Sequence, residues 1–192
     1  MIIHICGASG SGKTTLGNKL KEKFGNKIVV KDLDDLRDEF IRYYYGNKKW
    51  KYIDHIEYQK YIDSFIKKQK KPLIFVGLND NMFDGKKGLE LYYNLYSQHN
   101  YYIKLDDETI IRQKCIRFFD SIKNNEYAMN DLIKNNNTFI KQISIGIKSE
   151  CNAKNTIKDN KKWNKYYAKQ GYIFDTRDHI FKKVSNILKK IT

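Results

Sequence analysis

Eight consecutive residues, Gly7-Ala8-Ser9-Gly10-Ser11-Gly12-Lys13-Thr14, have the types and spacing needed to hold phosphate. They satisfy G-x-x-x-x-G-K-[ST] at every fixed position. Glycines let successive backbone N–H groups turn inward onto phosphate oxygens, and a helix starting at the end of the stretch offers its positive N-terminal end to the same anion. Lys13 suits the β- and γ-phosphates as a point charge, and the Thr14 hydroxyl suits Mg²⁺. Gly7, Ala8, Ser9, Gly10, Ser11, Gly12, Lys13, Thr14 and Thr15 are the candidate nucleotide-binding residues, with ATP and Mg²⁺ as the implied cofactors.

The second chemistry-bearing group is the acid cluster in Lys31-Asp32-Leu33-Asp34-Asp35-Leu36. A carboxylate there can take a proton from an acceptor hydroxyl, orient that hydroxyl, or bind Mg²⁺ through water, all of which phosphoryl transfer to an alcohol requires. The same acids also suit a helix start, with Asp32 as cap and Asp34 and Asp35 in the dipole-favoured first turn. Asp32, Asp34, Asp35 and Arg37 are the candidate substrate-binding residues, and Thr14 and Asp32 the candidate metal ligands. Other nucleotide-hydrolysing classes fit less well. No Asn-Lys pair is followed two residues on by Asp, as guanine recognition would need, and the apolar run Leu73–Val76 meets Gly77-Leu78-Asn79 where a motor-type ATPase places a metal-holding acid.

The elements that must position these residues alternate. Ile2–Cys6 reads as a strand and Thr14–Phe24, with Leu16, Leu20 and Phe24 at helical spacing, as a helix. Lys27–Lys31 reads as a second strand, followed by helices over Leu33–Tyr45 and Tyr52–Lys70. Leu73–Val76 reads as a buried parallel strand. A loop over Asn79–Gly85, a helix near Leu89–Tyr96, a fourth strand over Tyr101–Leu105 and a helix over Glu108–Phe119 come next. Lys123–Gln170 reads as a helical insertion punctuated by Asn125, Asn130 and Asn135–Asn137, with Trp163, Tyr166 and Tyr167 as packing anchors. Tyr172–Phe174 is a last strand, and Thr176 caps a last helix bearing Ile180, Val184, Ile187 and Leu188. Alternating strands and helices predict a parallel sheet with right-handed crossovers, and ligands then lie beyond the carboxyl ends of the strands, where loop and acids both fall.

The chain of 192 residues suits one domain. Its formal charge of +15 raises the question of nucleic acid, yet the basic residues are overwhelmingly Lys in a chain also rich in Asn, Ile and Tyr, a bias that A/T-rich coding alone produces. Cys6, Cys115 and Cys151 form neither an even framework nor a CxxC pair, and the His residues lack ligand spacing, which excludes a disulfide scaffold and structural zinc. His4 reads as a strand residue, His99 and His179 as surface polar positions. No apolar run approaches a membrane span and MIIHIC is too short for a signal sequence, so a cytoplasmic protein without membrane attachment is expected.

The loop, the triplet Asp34-Asp35-Leu36 after strand two, and the stretch from Asp106 to Arg117 resemble the small-molecule kinase branch of P-loop enzymes, which includes uridine, nicotinamide riboside, shikimate and gluconate kinases and the nucleoside monophosphate kinases. The resemblance covers about Met1–Phe119 and the last strand and helix. It implies an α/β P-loop NTPase fold: a three-layer α/β/α sandwich with a five-stranded parallel sheet of order 2-3-1-4-5, a helical insertion between strands 4 and 5, and a lid or insertion over about 112–170 of a single 1–192 domain. It implies transfer of the γ-phosphoryl of ATP to a small acceptor, a nucleoside or nucleotide favoured. Asp34 takes the role of base in a D-D-[aromatic] pattern, although Leu36 stands where an aromatic is usual, and a D-x-D pattern fits Asp32 and Asp34 equally well. Lys13, Asp34, Arg112 and Arg117 are the implied catalytic residues, the two arginines as a lid over the phosphates. On one helix they lie roughly 140° apart and share a phosphate only if the helix ends between them. Tyr43-Tyr44-Tyr45 and Trp50 fall where such kinases seat the acceptor and could stack on a base or simply pack. A kinase of nucleic-acid 5′-ends and a nucleotide-dependent binding module are the alternatives; the oligomeric state is not indicated.

Overall fold

The computed structural model describes residues 1–46, 53–81, 91–124 and 136–192. In chain order these form β1 (Ile2–Gly7), α1 (Lys13–Phe24), β2 (Val29–Asp32), α2 (Leu33–Tyr45), α3 (His55–Lys67), β3 (Leu73–Val76), β4 (Asp80–Asn81), β5 (Leu91–Tyr92), β6 (His99–Ile103), α4 (Asp107–Lys123), α5 (Asn136–Glu150), α6 (Ala153–Lys169), β7 (Ile173–Asp175) and α7 (Arg177–Lys189). The chain divides into two compact units, the first being Met1–Gly7, Gly12–Ile103 and Gly171–Thr192, the second Ala8–Ser11 and Lys104–Gln170.

The first unit is α/β. Its five-stranded sheet is parallel throughout and runs β2-β3-β1-β6-β7, so its own strands follow the expected order 2-3-1-4-5. Ile3 stands opposite Ile74 and Ile5 opposite Tyr101. Because successive strand residues point to opposite faces, Ile2, Leu73 and Phe75 join Leu33, Leu36 and Phe40 of α2 and Tyr58 and Ile62 of α3 in one core. On the other face α1 approaches closely at Gly17, where a Cβ would come 3.0 Å from methyl groups of both Val30 and Val76. Leu16 and Leu20 of α1 and Ile180, Val184 and Leu188 of α7 are fully buried. Each such side chain contributes about 1.5–3 kcal/mol relative to leaving it in water.

Several boundaries and one element differ from the sequence reading. No helix forms over the described part of Leu89–Tyr96: residues 91 and 92 pair antiparallel with 80 and 81 as β5 and β4, and the chain then runs without regular structure to residue 98. Hydrogen bonds to distant partners occupy its backbone. Tyr93 N donates to Asn79 O and Asn79 Nδ2 to Tyr93 O, each at 3.0 Å, while Gln59 grips both the N–H and the carbonyl of Asn94. The remainder of that expected helix, and 82–85 of the expected loop, lie outside the described residues. The second strand begins at Val29 because Gly25–Lys27 forms a 3₁₀ turn. The fourth parallel strand starts at His99, which is therefore a half-buried strand residue rather than a surface position. Asp54 caps α3 by accepting from Ile56 N and Glu57 N, starting that helix later than expected.

In the second unit the described residues from 107 to 169 are mainly helical, as expected of the insertion. Asn125, Asn130 and Asn135 lie outside the described residues. Asp106 caps α4, accepting from Thr109 N at 2.7 Å, and Asn152 caps α6. Trp163 and Tyr167 are buried, Asn160 Nδ2 donates to Asp107 Oδ1 at 2.9 Å, and Lys114 Nζ donates to Thr156 Oγ1 at 3.3 Å, tying α6 to α4. All three cysteines are free thiols. Burial, together with a hydrogen bond to Cys115, pushes the Cys151 thiol up to about 11.

Candidate phosphate-binding site

In the first unit β1 ends at Gly7 and α1 begins at Lys13, so the glycine-rich stretch is the connection between a strand and a helix N-terminus. Gly12 caps α1 with φ 83° and Gly10 has φ 86°, left-handed conformations that residues with a Cβ rarely adopt. Arg177 lies close by: a Cβ on Gly12 would come 2.9 Å from one of its guanidinium nitrogens, so that side chain would have to shift. Lys13 Nζ donates to Gly7 O at 2.9 Å, keeping the ammonium against the loop backbone. Thr14 Oγ1 donates to Asp32 Oδ2 at 2.9 Å, and the following Thr15 is exposed.

That hydrogen bond brings the end of the motif to the acid cluster. Asp32 terminates β2 and caps α2, its Oδ1 accepting from Asp34 N at 3.0 Å, so both carboxylate oxygens have defined partners. Asp34 receives Arg37 at 2.9 Å one turn on; the Asp34 side chain is 70% exposed and that of Arg37 21%. Asp35 is exposed beside them. Arg37 also lines a shallow recess with Tyr58, Asn79 and Tyr93, whose two tyrosine rings meet edge to face at 4.5 Å. Tyr43 and Tyr44 are exposed; Tyr44 stacks on Phe40 at 5.1 Å, and the Tyr45 hydroxyl accepts from Asp54 N. This places Tyr44 and Tyr45 against the α2–α3 aromatic cluster. Trp50 lies outside the described residues.

His4 sits below this edge in β1, completely buried. Its Nε2 lies 2.9 Å from Gly77 O and its Nδ1 2.6 Å from the Tyr172 hydroxyl. A carbonyl can only accept, so Nε2 carries the proton and the tyrosine donates to Nδ1. Burial lowers the His4 pKa to about 4, with the Lys13 charge acting in the same direction.

In the second unit Ala8–Ser11 form a turn closed by Ser11 N donating to Ala8 O at 3.0 Å, and a Cβ on Gly10 would come within 3.2 Å of Lys114 Cγ. Ala8 is buried, Ser9 exposed, and the buried Ser11 Oγ has no hydrogen-bond partner among the described residues. Arg112 pairs with Glu108 at 2.7 Å, and Arg117 is exposed farther along α4. The helix is continuous from Asp107 to Lys123, so the two arginines diverge by roughly 140°.

Two cations near loop glycines escape the sequence reading. Lys114 reaches Gly10 because α4 packs on that turn, and Arg177 reaches Gly12 from the first residue of α7. Arg177 Nε is buried without a hydrogen-bond partner among the described residues, an unused donor beside the motif. Neither residue carries a local signal, since both contacts depend on tertiary packing. No protein-family model matches the chain, and no curated protein matches it.

The donor set fits a nucleotide with its cation. Left-handed glycines, an ammonium, a helix N-terminus and the orphaned Arg177 Nε all suit phosphate oxygens, and a hydroxyl beside a carboxylate suits Mg²⁺. Among the described residues no group of three His, Cys, Asp or Glu side chains could hold a metal alone, so the cation would need phosphate oxygens or water to complete its shell.

Proposed function

We propose that this chain is an ATP- and Mg²⁺-dependent phosphotransferase of the P-loop three-layer type, acting on a hydroxyl or phosphate of a small acceptor, with a nucleoside or nucleotide favoured. The observation that carries this reading is the hydrogen bond from Thr14 to Asp32, which joins the phosphate motif to the carboxylates at one sheet edge. Residues Gly7 to Thr15 would hold the nucleotide phosphates, and Thr14 with Asp32 the cation. The bound nucleotide and cation supply the phosphoryl donor and screen its charge. Asp34, beside Asp32 and mostly exposed, takes the acceptor proton. Arg37 and the tyrosines of the recess would face the acceptor, and Lys13 would stabilise charge on the transferring group.

Incubation of the purified protein with γ-labelled ATP and a panel of nucleosides, nucleotides and other small alcohols tests the proposal. Label is expected in one acceptor, and Lys13→Ala is expected to abolish that transfer while preserving the far-UV spectrum, because Lys13 is half-exposed and outside the core. Label remaining in ATP or released only as phosphate with every acceptor overturns the kinase reading.

A further inference from the structure

In the second unit two of the chain's three cysteines meet. Cys115 lies in the middle of α4, and Cys151 stands at the corner between α5 and α6, far away in sequence. Packing on both sides brings them together. One residue before Cys115, Lys114 Nζ donates at 3.3 Å to Oγ1 of Thr156, which lies five residues beyond Cys151. Three residues after Cys115, the Phe118 ring lies against Gly146, five residues before Cys151, so closely that a Cβ on the glycine would collide with it. Residues 114, 115 and 118 occupy about 100° of the α4 circumference, which turns Cys115 to the same corner. There the two thiols share a hydrogen bond.

Cysteines that serve only as small apolar side chains are buried and inert. Cys6 is of that kind: it is completely enclosed in β1, and its Sγ donates to Tyr101 O at 3.5 Å. Cys115 and Cys151 are only half-buried, within reach of a small reagent from solvent. Burial and the neighbouring thiol hold the Cys151 proton on, and the Lys114 charge opposes them. A second sulfur in contact is an intramolecular nucleophile at high effective concentration, so an adduct formed at either cysteine is resolved by the other.

We propose that Cys115 and Cys151 are a reversible redox pair, oxidised by a low-molecular-weight disulfide to an intramolecular bond that ties α4 to the α5–α6 corner. One protein thiolate attacks the reagent disulfide, whose S–S bond breaks, giving a mixed disulfide and one reagent thiolate. The second protein thiol loses its proton to solvent and attacks the first protein sulfur, and the second reagent thiolate leaves. Two protein thiols are thereby oxidised, one reagent disulfide is reduced to two thiols, and the two protons lost by the protein end on the reagent sulfurs. An excess of dithiol reverses both steps.

Incubation of the reduced, folded full chain with oxidised glutathione, read by intact mass, tests the pair independently of phosphotransfer. The wild type is expected to lose about 2 Da, the mass of two hydrogens, without accumulating a glutathione adduct. Trypsin without reductant is expected to release peptide 115–117 joined to peptide 149–154, a product that dithiothreitol separates. Cys115→Ser and Cys151→Ser each remove the resolving sulfur and are expected to retain one glutathione, a gain of about 305 Da. Because a cross-link restricts the unfolded chain, the oxidised wild type is expected to melt a few degrees above the reduced form, and neither serine variant to show that rise. Protein that stays reduced, that carries glutathione on both Cys115 and Cys151, or that cross-links only between molecules overturns the proposal. So does a cross-linked form that melts below the reduced one, since the native packing would then hold the sulfurs apart. Should a serine variant fail to fold, the tryptic product and the melting shift of the wild type still decide.

Discussion

Asp32 and Asp34 are two residues apart, yet their surroundings give them different capacities. Asp32 spends one oxygen on the Asp34 N–H and the other on the Thr14 hydroxyl, so its orientation is fixed beside the side chain proposed to meet the cation. Asp34 is mostly exposed and meets Arg37 through Oδ1. On the proposed reading Asp34 takes the proton and Asp32 the cation, one choice between two patterns that the sequence fits equally. Asp34→Asn is expected to lower kcat by about 10²-fold or more while ATP Kd stays within a few-fold, because an amide keeps the shape but cannot take a proton. Asp32→Asn is expected to raise the Mg²⁺ concentration for half-maximal activity about tenfold, the amide oxygen still capping α2. Steady-state kinetics at varied Mg²⁺ distinguishes them; the reverse pattern would exchange the two roles.

At the scale of elements, legibility follows how local the determining interaction is. Leu73–Val76 was readable because unbroken apolar residues mark a doubly covered strand, and the caps Asp32 and Thr176 because a cap is set within three residues. No helix forms over the described part of Leu89–Tyr96 because Asn79 and Gln59, distant in sequence, take the backbone bonds of Tyr93 and Asn94. Arg177 and Lys114 were illegible for the same reason. The continuity of α4 also bears on the expectation that Arg112 and Arg117 form a lid. With Arg112 and Arg117 roughly 140° apart on one helix, at most one can reach a given phosphate. The more important arginine is expected to cost about 10²-fold in kcat when changed to Ala. The double variant is then expected to lose no more than the worse single one. Losses that multiply would mean that both arginines act and that α4 breaks during turnover.

For the molecule as a whole, one buried residue makes global stability depend on pH. His4 is neutral in the folded protein, and burial holds its pKa at about 4 against 6.5 in an unfolded chain. Because the folded value is the lower one, the unfolded state binds the proton first. The stabilisation is complete above pH 6.5 and is lost as pH falls toward 4, amounting to about 3 kcal/mol at roughly 1.4 kcal/mol per pKa unit. Asp175, held near pKa 2 chiefly by Lys183, with the Thr176 N–H and His179 assisting, acts with the same sign but in a lower window, from about 3.8 down to 2. The range between pH 6.5 and 4.5 thus isolates the histidine. Protonation there would place a charge beside Lys13 and between the Gly77 carbonyl and Tyr172, on the strand that leads into the phosphate motif. Urea unfolding of the wild type is expected to lose about 2–3 kcal/mol between pH 7 and 4.5. His4→Gln is expected to start less stable, for loss of packing and of the Tyr172 bond, but to show a nearly flat profile over the same range. A wild-type profile that is equally flat would mean that water reaches His4 and that the edge beneath the motif is open rather than sealed.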